Sequence, residues 1–245
     1  TTKIVAKNSR LGQSVTGVLQ ASEKQLGWMS QIYDYLSGLD EEYSTKNNLP
    51  KSVRLTTVQP SGTLSLLPGV TPGVHPAYAR YYIRRVRFRS TDPLVEACRN
   101  RGYKVQWDVG LDGQKDRTSQ VVEFPCQSPE NAVLASEMSA VDQLEWIKRM
   151  QTEWADNAVS VTVYYQMDEL TSIQEWLEKN YKNSIKSVSF LLHTDHNFPL
   201  PPYEEITEEE YEKSVGKIDL SIPLVSVPTD GIDFDDCNSG VCPIK

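Results

Sequence analysis

The fold of this chain is decided by the stretch Ser52-Val53-Arg54-Leu55-Thr56-Thr57-Val58-Gln59-Pro60-Ser61-Gly62-Thr63-Leu64-Ser65-Leu66-Leu67. Residues 52–58 alternate in polarity and are rich in β-branched side chains, which predicts a strand. Residues 59–75 are dense in Pro and Gly, which predicts a loop with a short helical turn over residues 63–67. A strand that leads through a loop into a helical turn is typical of the start of a βα unit.

The alternation of strands and helices continues along the chain. We predict further strands over residues 78–88, 120–124, 159–165 and 187–192, and helices over residues 8–38, 92–101, 140–154 and 170–180. Strands that alternate with helices in this way predict an α/β protein with a largely parallel sheet or barrel. From about residue 220 the chain turns polar and contains Pro223 and Pro228, so residues 221–245 are predicted to be a flexible tail.

The composition of the chain favours a globular protein and argues against a nucleic-acid-binding or membrane-spanning one. The chain has 245 residues, 39% hydrophobic and 24% charged, which is ordinary for one large globular domain. The net charge of −8 argues against a nucleic-acid surface. No apolar stretch approaches the ~20 residues of a membrane helix, and no signal peptide is recognisable. Of the four cysteines, Cys98 and Cys126 lie in apolar settings and are expected to be core thiols. This cysteine usage favours a cytoplasmic protein.

The loop after the first predicted strand is a candidate phosphate site. Ser61, Gly62 and Thr63 would present backbone N–H groups and hydroxyls at the start of a helical turn. Unsatisfied donors and the helix dipole both favour an anion there, and Gly62 lets the backbone approach closely. The loop is not a Walker A motif, because it lacks Gly-Lys-Ser/Thr. An ordinary Ser-Gly-Thr turn that caps a helix is the alternative.

The end of the chain carries the second candidate site. Cys237 and Cys242 are separated by a short polar segment that contains Gly240, so the two sulfurs can come together. A terminal dithiol of this kind suits a shuttle that reduces a buried disulfide by thiolate attack through a mixed disulfide. A frayed tail with two idle thiols, or half of a metal site, is the alternative.

Two other polar groups favour structural roles. Arg84, Arg85 and Arg87 cannot all face one way on a strand, so we expect surface or salt-bridged positions, with some of them near a phosphate-bearing ligand as the alternative. The His-Thr-Asp-His motif of residues 193–196 follows a predicted strand, but no third and fourth ligand stands at metal spacing. We therefore expect a loop there and predict no metal site.

Several of these motifs together resemble the monomeric, adenosylcobalamin-dependent (class II) ribonucleoside-triphosphate reductases. The stretch from Pro60 to Pro76 resembles the family's phosphate-loop region, and residues 8–17 resemble its Arg-Ile-Gly-x-x-x-x-Gly segment. Residues 156–163 and 187–207 also resemble the C-terminal half of the family, and Cys237 and Cys242 resemble its tail pair. The resemblance spans essentially the whole chain but only about the last third of a family member.

The resemblance implies a fold and an activity. The fold would be the C-terminal part of a ten-stranded α/β barrel of the ribonucleotide reductase type over residues 1–220, followed by the tail. The activity would be reduction of ribonucleoside triphosphates to the 2′-deoxy forms. Homolysis of adenosylcobalamin yields a thiyl radical that abstracts the ribose 3′ hydrogen, and two active-site cysteines supply two electrons. Cys237 and Cys242 would then reduce the resulting disulfide and be restored by thioredoxin.

The resemblance also implies ligand-binding residues. Segments corresponding to about residues 59–70 and 121–182 are associated with adenosylcobalamin binding in this family. Within the first of these two segments, Ser61, Gly62 and Thr63 also resemble the substrate-phosphate cradle. The first segment comprises Gln59, Pro60, Ser61, Gly62, Thr63, Leu64, Ser65, Leu66, Leu67, Pro68, Gly69 and Val70.

Several motifs of the family are not found in this chain, because their positions would lie before Thr1. The resemblance places the thiyl-forming cysteine, the Asn-x-Cys-x-Glu motif and the allosteric nucleotide region upstream of that residue. The chain lacks an initiator Met, so we expect a fragment, a processed protein or the product of intein excision. We therefore expect it to need an N-terminal part of the reductase as a partner. A non-catalytic phosphate-binding or redox-carrier domain derived from a reductase is the alternative.

Overall fold

The computed structural model describes residues 2–62, 64–110, 113–192 and 199–222. These residues divide into two compact units, one of residues 2–80 and 127–192 and one of residues 81–126 and 199–222. The α-helices are α1 (Thr2–Lys7), α2 (Glu23–Lys46), α3 (Pro93–Asn100), α4 (Ala140–Glu153), α5 (Leu170–Ser184) and α6 (Glu208–Val215). The strands are β1 (Arg10–Ser14), β2 (Arg54–Thr57), β3 (Tyr81–Arg89), β4 (Lys104–Val109), β5 (Lys115–Gln127), β6 (Thr162–Tyr165), β7 (Ser189–Leu192) and β8 (Tyr203–Glu205).

Parallel strands form the framework of the first unit. β1 pairs with β2 and β6 pairs with β7, both in parallel. A parallel bridge between Val58 and Val159 joins the two pairs, and the Ser160 N–H donates to the Val58 carbonyl at 3.0 Å. The order β1-β2-β6-β7 with helices between the strands confirms the predicted α/β class.

The helices of the first unit cover this sheet with apolar side chains. On α4, Leu144, Ile147 and Met150 recur at helical spacing and are fully buried. They share one core with Val163 of β6 and Trp176 of α5. None of the helices described here combines the length and the apolar character needed to span a lipid bilayer.

The connection from α4 into the sheet is fixed by polar bonds. The Asp156 carboxylate accepts the Leu55 N–H at 2.9 Å and the Tyr33 hydroxyl at 3.0 Å. The Asn157 side-chain amide donates to the carbonyls of Thr56 at 2.8 Å and Leu11 at 2.9 Å. Because the β1–β2 register shifts at this point, the Asn157 amide satisfies carbonyls at the irregularity in the ladder.

The start of the chain differs from the predicted helix over residues 8–38. Residues 10–14 form β1, and α2 begins only after Ser22, which caps it in a reciprocal capping box with Gln25. Gly17 has φ of 67°, a left-handed conformation that a helix interior does not contain. The periodic apolar residues that suggested one helix therefore belong to a strand, a turn and a later helix.

The second unit contains an antiparallel arrangement that the sequence did not predict. Its sheet has the order β4-β5-β3-β8, and both β4–β5 and β3–β8 are antiparallel pairs. The strands expected over residues 78–88 and 120–124 exist as β3 and β5 but lie in this sheet rather than among the parallel strands. The helix expected over residues 92–101 is α3, with Asp92 as its N-cap and Pro93 at its first position.

A buried carboxylate joins three strands of this sheet. Glu123 accepts hydrogen bonds from Arg85 Nε at 3.0 Å and from Gln106 Nε2 at 2.8 Å, and pairs with Lys104 Nζ at 3.1 Å. The Arg85 side chain is 6% exposed and also pairs with Glu204 of β8. Because the buried Arg85 and Glu123 side chains bond to each other and to groups on β4 and β8, the cluster favours this order of strands.

Candidate functional site

The predicted phosphate loop follows β2 and is clamped at its far end. The Thr71 carbonyl accepts the Gly17 N–H at 2.8 Å and the Thr16 hydroxyl at 3.0 Å. The Thr71 N–H donates to Gln20 Oε1 at 2.7 Å. These three bonds hold the loop against the turn between β1 and α2, so the end of the loop has a defined position at the carboxyl edge of the parallel strands.

Two glycines allow this close approach. Gly17 has φ of 67°, and a Cβ placed on it would lie 2.8 Å from Val70 Cβ. Gly73 has φ of 56°, and a Cβ there would lie 2.8 Å from the Gln59 carbonyl oxygen. Both positions therefore require glycine for conformation and for space. Gly17 lay inside the helix predicted over residues 8–38, and Gly73 had no predicted role.

The candidate phosphate-binding residues lie in tight local turns. The Ser61 N–H donates to the Gln59 carbonyl at 2.9 Å, and the Gly62 N–H donates to the Pro60 carbonyl at 2.8 Å. Both N–H groups that were expected at a helix N-terminus are thus engaged within the loop. An anion bound here would replace these two short-range bonds with charge-assisted ones. Thr63 lies outside the described residues.

The helical turn of the loop is confirmed but short. It comprises Leu64–Leu66, one turn of 3₁₀-helix. The Ser65 N–H donates to the Ser61 carbonyl at 3.2 Å, and the Ser65 carbonyl accepts the Val70 N–H at 3.0 Å. Ser65 is fully buried, and its hydroxyl also donates to the Ser61 carbonyl. One turn contributes little dipole, so the site depends on local donors rather than on a helix terminus.

The outer surface of the loop is apolar. Leu64 is 62% exposed and Leu67 is 84% exposed, although both are large hydrophobic residues. On its inner side, the hydroxyl of Thr71 is buried and has no hydrogen-bond partner among the described residues. Exposed apolar surface beside polar loop groups fits a large ligand that carries both an anionic group and apolar area.

Side chains of the first unit tie the loop to β6. The neutral His75 ring donates from Nδ1 to the Pro72 carbonyl at 3.1 Å and accepts the Thr162 N–H on Nε2 at 3.1 Å. Burial lowers the pKa of His75, which agrees with a neutral ring. Gln143 is 1% exposed and donates to the carbonyls of Val74 at 3.4 Å and Thr162 at 3.2 Å.

A pocket of about 320 Å³ lies at the carboxyl end of β6. It is lined by residues 135–139 and 164–166 together with Asp168 and Glu169. The Glu169 carboxylate accepts the Ala140 N–H at the start of α4 and the Gln166 N–H, both at 2.8 Å. Since β2 and β6 are neighbouring parallel strands, the loop and the pocket belong to the same edge of the sheet. This pocket was not predicted from the sequence, although it follows a predicted strand.

The remaining candidate residues have structural positions or lie outside the described part. Cys98 is buried and Cys126 is half-buried, and burial raises the pKa of each thiol. Arg85 and Arg87 form ion pairs, the latter with Asp108 at 2.8 Å, which agrees with the salt-bridged interpretation. The motif of residues 193–196 and the pair Cys237 and Cys242 lie outside the described residues. In the described ranges, no cluster of three or more potential metal ligands occurs.

The first unit thus consists of parallel strands joined by helices, with a clamped loop at the carboxyl end of β2. Residues 45–191 match the family model described as the ribonucleotide reductase barrel domain. The chain therefore belongs to the ribonucleotide reductase barrel-domain family.

Individual proteins of this family are similar to this chain over most of its length. The adenosylcobalamin-dependent ribonucleoside-triphosphate reductase of Lactobacillus gasseri is 32% identical over 99% of this chain and 37% of its own length. That of Levilactobacillus brevis is 35% identical over 87% of this chain and 30% of its own length. A crystal structure of a B12-dependent (class II) ribonucleotide reductase matches 99% of this chain and 36% of that chain, with TM-score 0.75 and 27% identity. The chain thus spans about a third of the length of the relatives it matches.

Proposed function

We propose that this chain is the part of an adenosylcobalamin-dependent ribonucleoside-triphosphate reductase that carries the phosphate loop and the terminal dithiol. The observation that carries the proposal is the loop of residues 59–75, clamped at Thr71 and His75 at the carboxyl edge of parallel strands. Similarity to reductases of that name over 99% of the chain supports it.

The loop would serve both the substrate and the cofactor. We assign the triphosphate to Ser61, Gly62 and Thr63, where backbone N–H groups and hydroxyls can donate to phosphate oxygens. Adenosylcobalamin, bound along residues 59–70 with contributions from residues 121–182, would supply the radical that starts ribose reduction. Exposed Leu64 and Leu67 would cover apolar ligand surface and exclude water from it.

The terminal dithiol would supply the reducing equivalents. Cys237 and Cys242 would transfer two electrons and two protons to the active-site disulfide and become a disulfide themselves. Thioredoxin would then reduce that disulfide by the same exchange. The radical-forming cysteine would come from an N-terminal part of the reductase. A cytoplasmic location agrees with a thiol that has to be kept reduced.

The proposal is tested on the protein purified from its source. We expect reduction of a ribonucleoside triphosphate that requires adenosylcobalamin and continues with thioredoxin. The double variant Cys237→Ser/Cys242→Ser should stop turnover with thioredoxin but retain a single turnover of prereduced enzyme, whereas Cys98→Ser should leave both assays unchanged. Equal loss in both assays would refute the dithiol shuttle. Ligand binding without any cobalamin-dependent turnover would favour the non-catalytic carrier domain.

A further inference from the structure

Strand β6 is bonded to the β2 segment only at its beginning. The Ser160 N–H donates to the Val58 carbonyl at 3.0 Å, and the chain after Val58 continues as the loop of residues 59–75. Main-chain groups of every second residue point to the same side of a strand, so those of Thr162 and Tyr164 also face the side of β2. Because main-chain N–H and carbonyl groups inside a protein are paired, these groups need partners other than β2.

Two side chains supply these partners. His75 Nε2 accepts the Thr162 N–H at 3.1 Å. Gln143 of α4 donates from Nε2 to the Thr162 carbonyl at 3.2 Å and accepts the Tyr164 N–H on Oε1 at 3.3 Å. His75 and Gln143 thus take the place along β6 that β2 would otherwise occupy. The two parallel strands therefore separate at their carboxyl ends, which is where ligands bind in α/β proteins.

The same two side chains also hold the end of the loop. His75 Nδ1 donates to the Pro72 carbonyl at 3.1 Å, and Gln143 Nε2 donates to the Val74 carbonyl at 3.4 Å. Gln143 is 1% exposed, and its three bonds use both amide hydrogens and the oxygen, which fixes the orientation of the amide. His75 and Gln143 are therefore each bonded to β6 and to the loop at once.

The position of the loop end is passed on to the candidate phosphate-binding residues. Gly73 lies between the Pro72 and Val74 carbonyls that these side chains hold, and a Cβ on Gly73 would lie 2.8 Å from the Gln59 carbonyl oxygen. That same oxygen accepts the Ser61 N–H at 2.9 Å. A shift of the loop end relative to β6 would therefore move the turn at Ser61 as well.

We propose that His75 and Gln143 are positioning residues for the substrate triphosphate, because they set the place of the Ser61-Gly62 turn relative to β6. This inference rests on the proposed function and adds two residues that act through the loop without contacting the ligand. Of the two ring nitrogens of His75, Nε2 has the positioning role. Its bond crosses from the loop to β6, whereas the Nδ1 bond stays within the loop.

Two variants of His75 separate the contacts of its ring. His75→Gln can place an amide oxygen near the position of Nε2, whereas His75→Asn can replace only the nearer Nδ1. Each is made in the complete protein that its gene encodes, and the Kd of inorganic tripolyphosphate is measured by calorimetry. His75→Gln should bind within about twofold of the wild type and His75→Asn about tenfold more weakly, as for the loss of one hydrogen bond to a charged group. Equal weakening in both variants would overturn the role of Nε2.

A variant of Gln143 tests the second residue by steady-state kinetics. Gln143→Met keeps the length of the side chain but removes its three bonds. With the ribonucleoside triphosphate that the wild type reduces fastest, KM should rise about tenfold while kcat stays within about twofold, because binding common to substrate and transition state is lost. An unchanged KM together with a lower Tm would show a purely structural role and overturn the proposal.

Tyr33→Phe is the matched control for stability. It removes the hydrogen bond between the Tyr33 hydroxyl and Asp156, near the amino end of β2 and away from the loop. It should lower the Tm and leave KM and the Kd of tripolyphosphate unchanged. A rise of KM in Tyr33→Phe equal to that in Gln143→Met would overturn the proposal. A wild type that reduces no ribonucleoside triphosphate would refute the reductase function, whereas the difference in tripolyphosphate binding between the His75 variants would still support the positioning role.

Discussion

At Gly73 the backbone of the loop passes so close to the Gln59 carbonyl that a side chain has no room. Gly69 provides a matched control, because it also has a positive φ, of 68°, but an added Cβ there meets no atom within 4 Å. Gly69→Ala should cost about 1–2 kcal/mol of unfolding free energy from the left-handed backbone alone. Gly73→Ala should cost about 1–3 kcal/mol more, because of overpacking.

Urea unfolding of the two variants measures this difference. Equal losses of stability would show that the Gly73–Gln59 approach relaxes freely and does not define the loop. A larger loss for Gly73→Ala would instead show that residues 59 and 73 are held together as a unit. The shape of the candidate phosphate site would then depend on a glycine fourteen positions after Gln59, the first residue of the loop.

His75 gives the loop a dependence on pH. Burial lowers the pKa of the folded-state imidazole below its usual value near 6.5, so the unfolded chain binds the proton more readily. The contribution of His75 to stability is therefore complete above about pH 6.5 and is lost as the pH falls through the folded-state pKa. In the neutral ring, Nε2 accepts the Thr162 N–H. Protonation would place an N–H on Nε2, and this hydrogen bond would be lost.

The comparison with His75→Gln checks this prediction, because glutamine does not titrate. Unfolding free energies of both proteins should be measured from pH 8 down to pH 5. The advantage of the wild type over the variant should shrink as the pH falls below about 6.5. A constant difference over that range would mean that the folded and unfolded chains bind the His75 proton equally well, which would contradict a lowered pKa in the folded state.

At the scale of single elements, α2 begins where its capping box dictates. Ser22 accepts the Gln25 N–H, and the Gln25 side chain accepts the Ser22 N–H at 2.9 Å. Ser22→Ala should lower the unfolding free energy by about 1 kcal/mol. Ser30→Ala, an exposed change within the helix, should be neutral or slightly stabilising. Thermal unfolding of both variants checks this, and similar Tm values would show that α2 is held by packing alone.

The elements themselves were partly predictable from local patterns. The strand of residues 52–58 and the helix of residues 140–154 were found because their alternation and helical periodicity are local properties. β1 was missed because its strand conformation depends on pairing with β2, some forty residues later. Residues 104–109 alternate strictly between polar and apolar residues, so β4 carries a local strand signal that the sequence analysis overlooked.

At the scale of the whole molecule, the four thiols should fall into two classes of reactivity. Burial raises the pKa of Cys98 and Cys126, so little thiolate forms at neutral pH. Iodoacetamide at pH 7.5 should modify these two slowly in the native protein and rapidly in 6 M guanidinium. We expect Cys237 and Cys242 to react fast in both conditions. Peptide mass spectrometry resolves the sites, and fast native labelling of Cys126 would contradict the prediction.

The loop after β2 was predictable from the sequence, but the bonds that hold it in place were not. The Ser61-Gly62-Thr63 sequence identified the loop, because glycine and hydroxyl residues after a strand carry a local signal. The clamp by Thr16 and Gln20 was not predictable, because it joins segments more than fifty residues apart. The local bonds of the Ser61 and Gly62 amides depend on backbone geometry that sequence patterns do not report.

The Glu123 cluster has a consequence for how this protein can vary. Arg85, Lys104 and Gln106 all direct donors to the Glu123 carboxylate, so replacing any one of the four removes a partner from at least one buried or half-buried polar group in the sheet. Substitutions at these positions are tolerated together more readily than singly. In an alignment of related sequences, positions 85, 104, 106 and 123 should therefore covary, and this correlation would identify the antiparallel sheet in relatives of unknown structure.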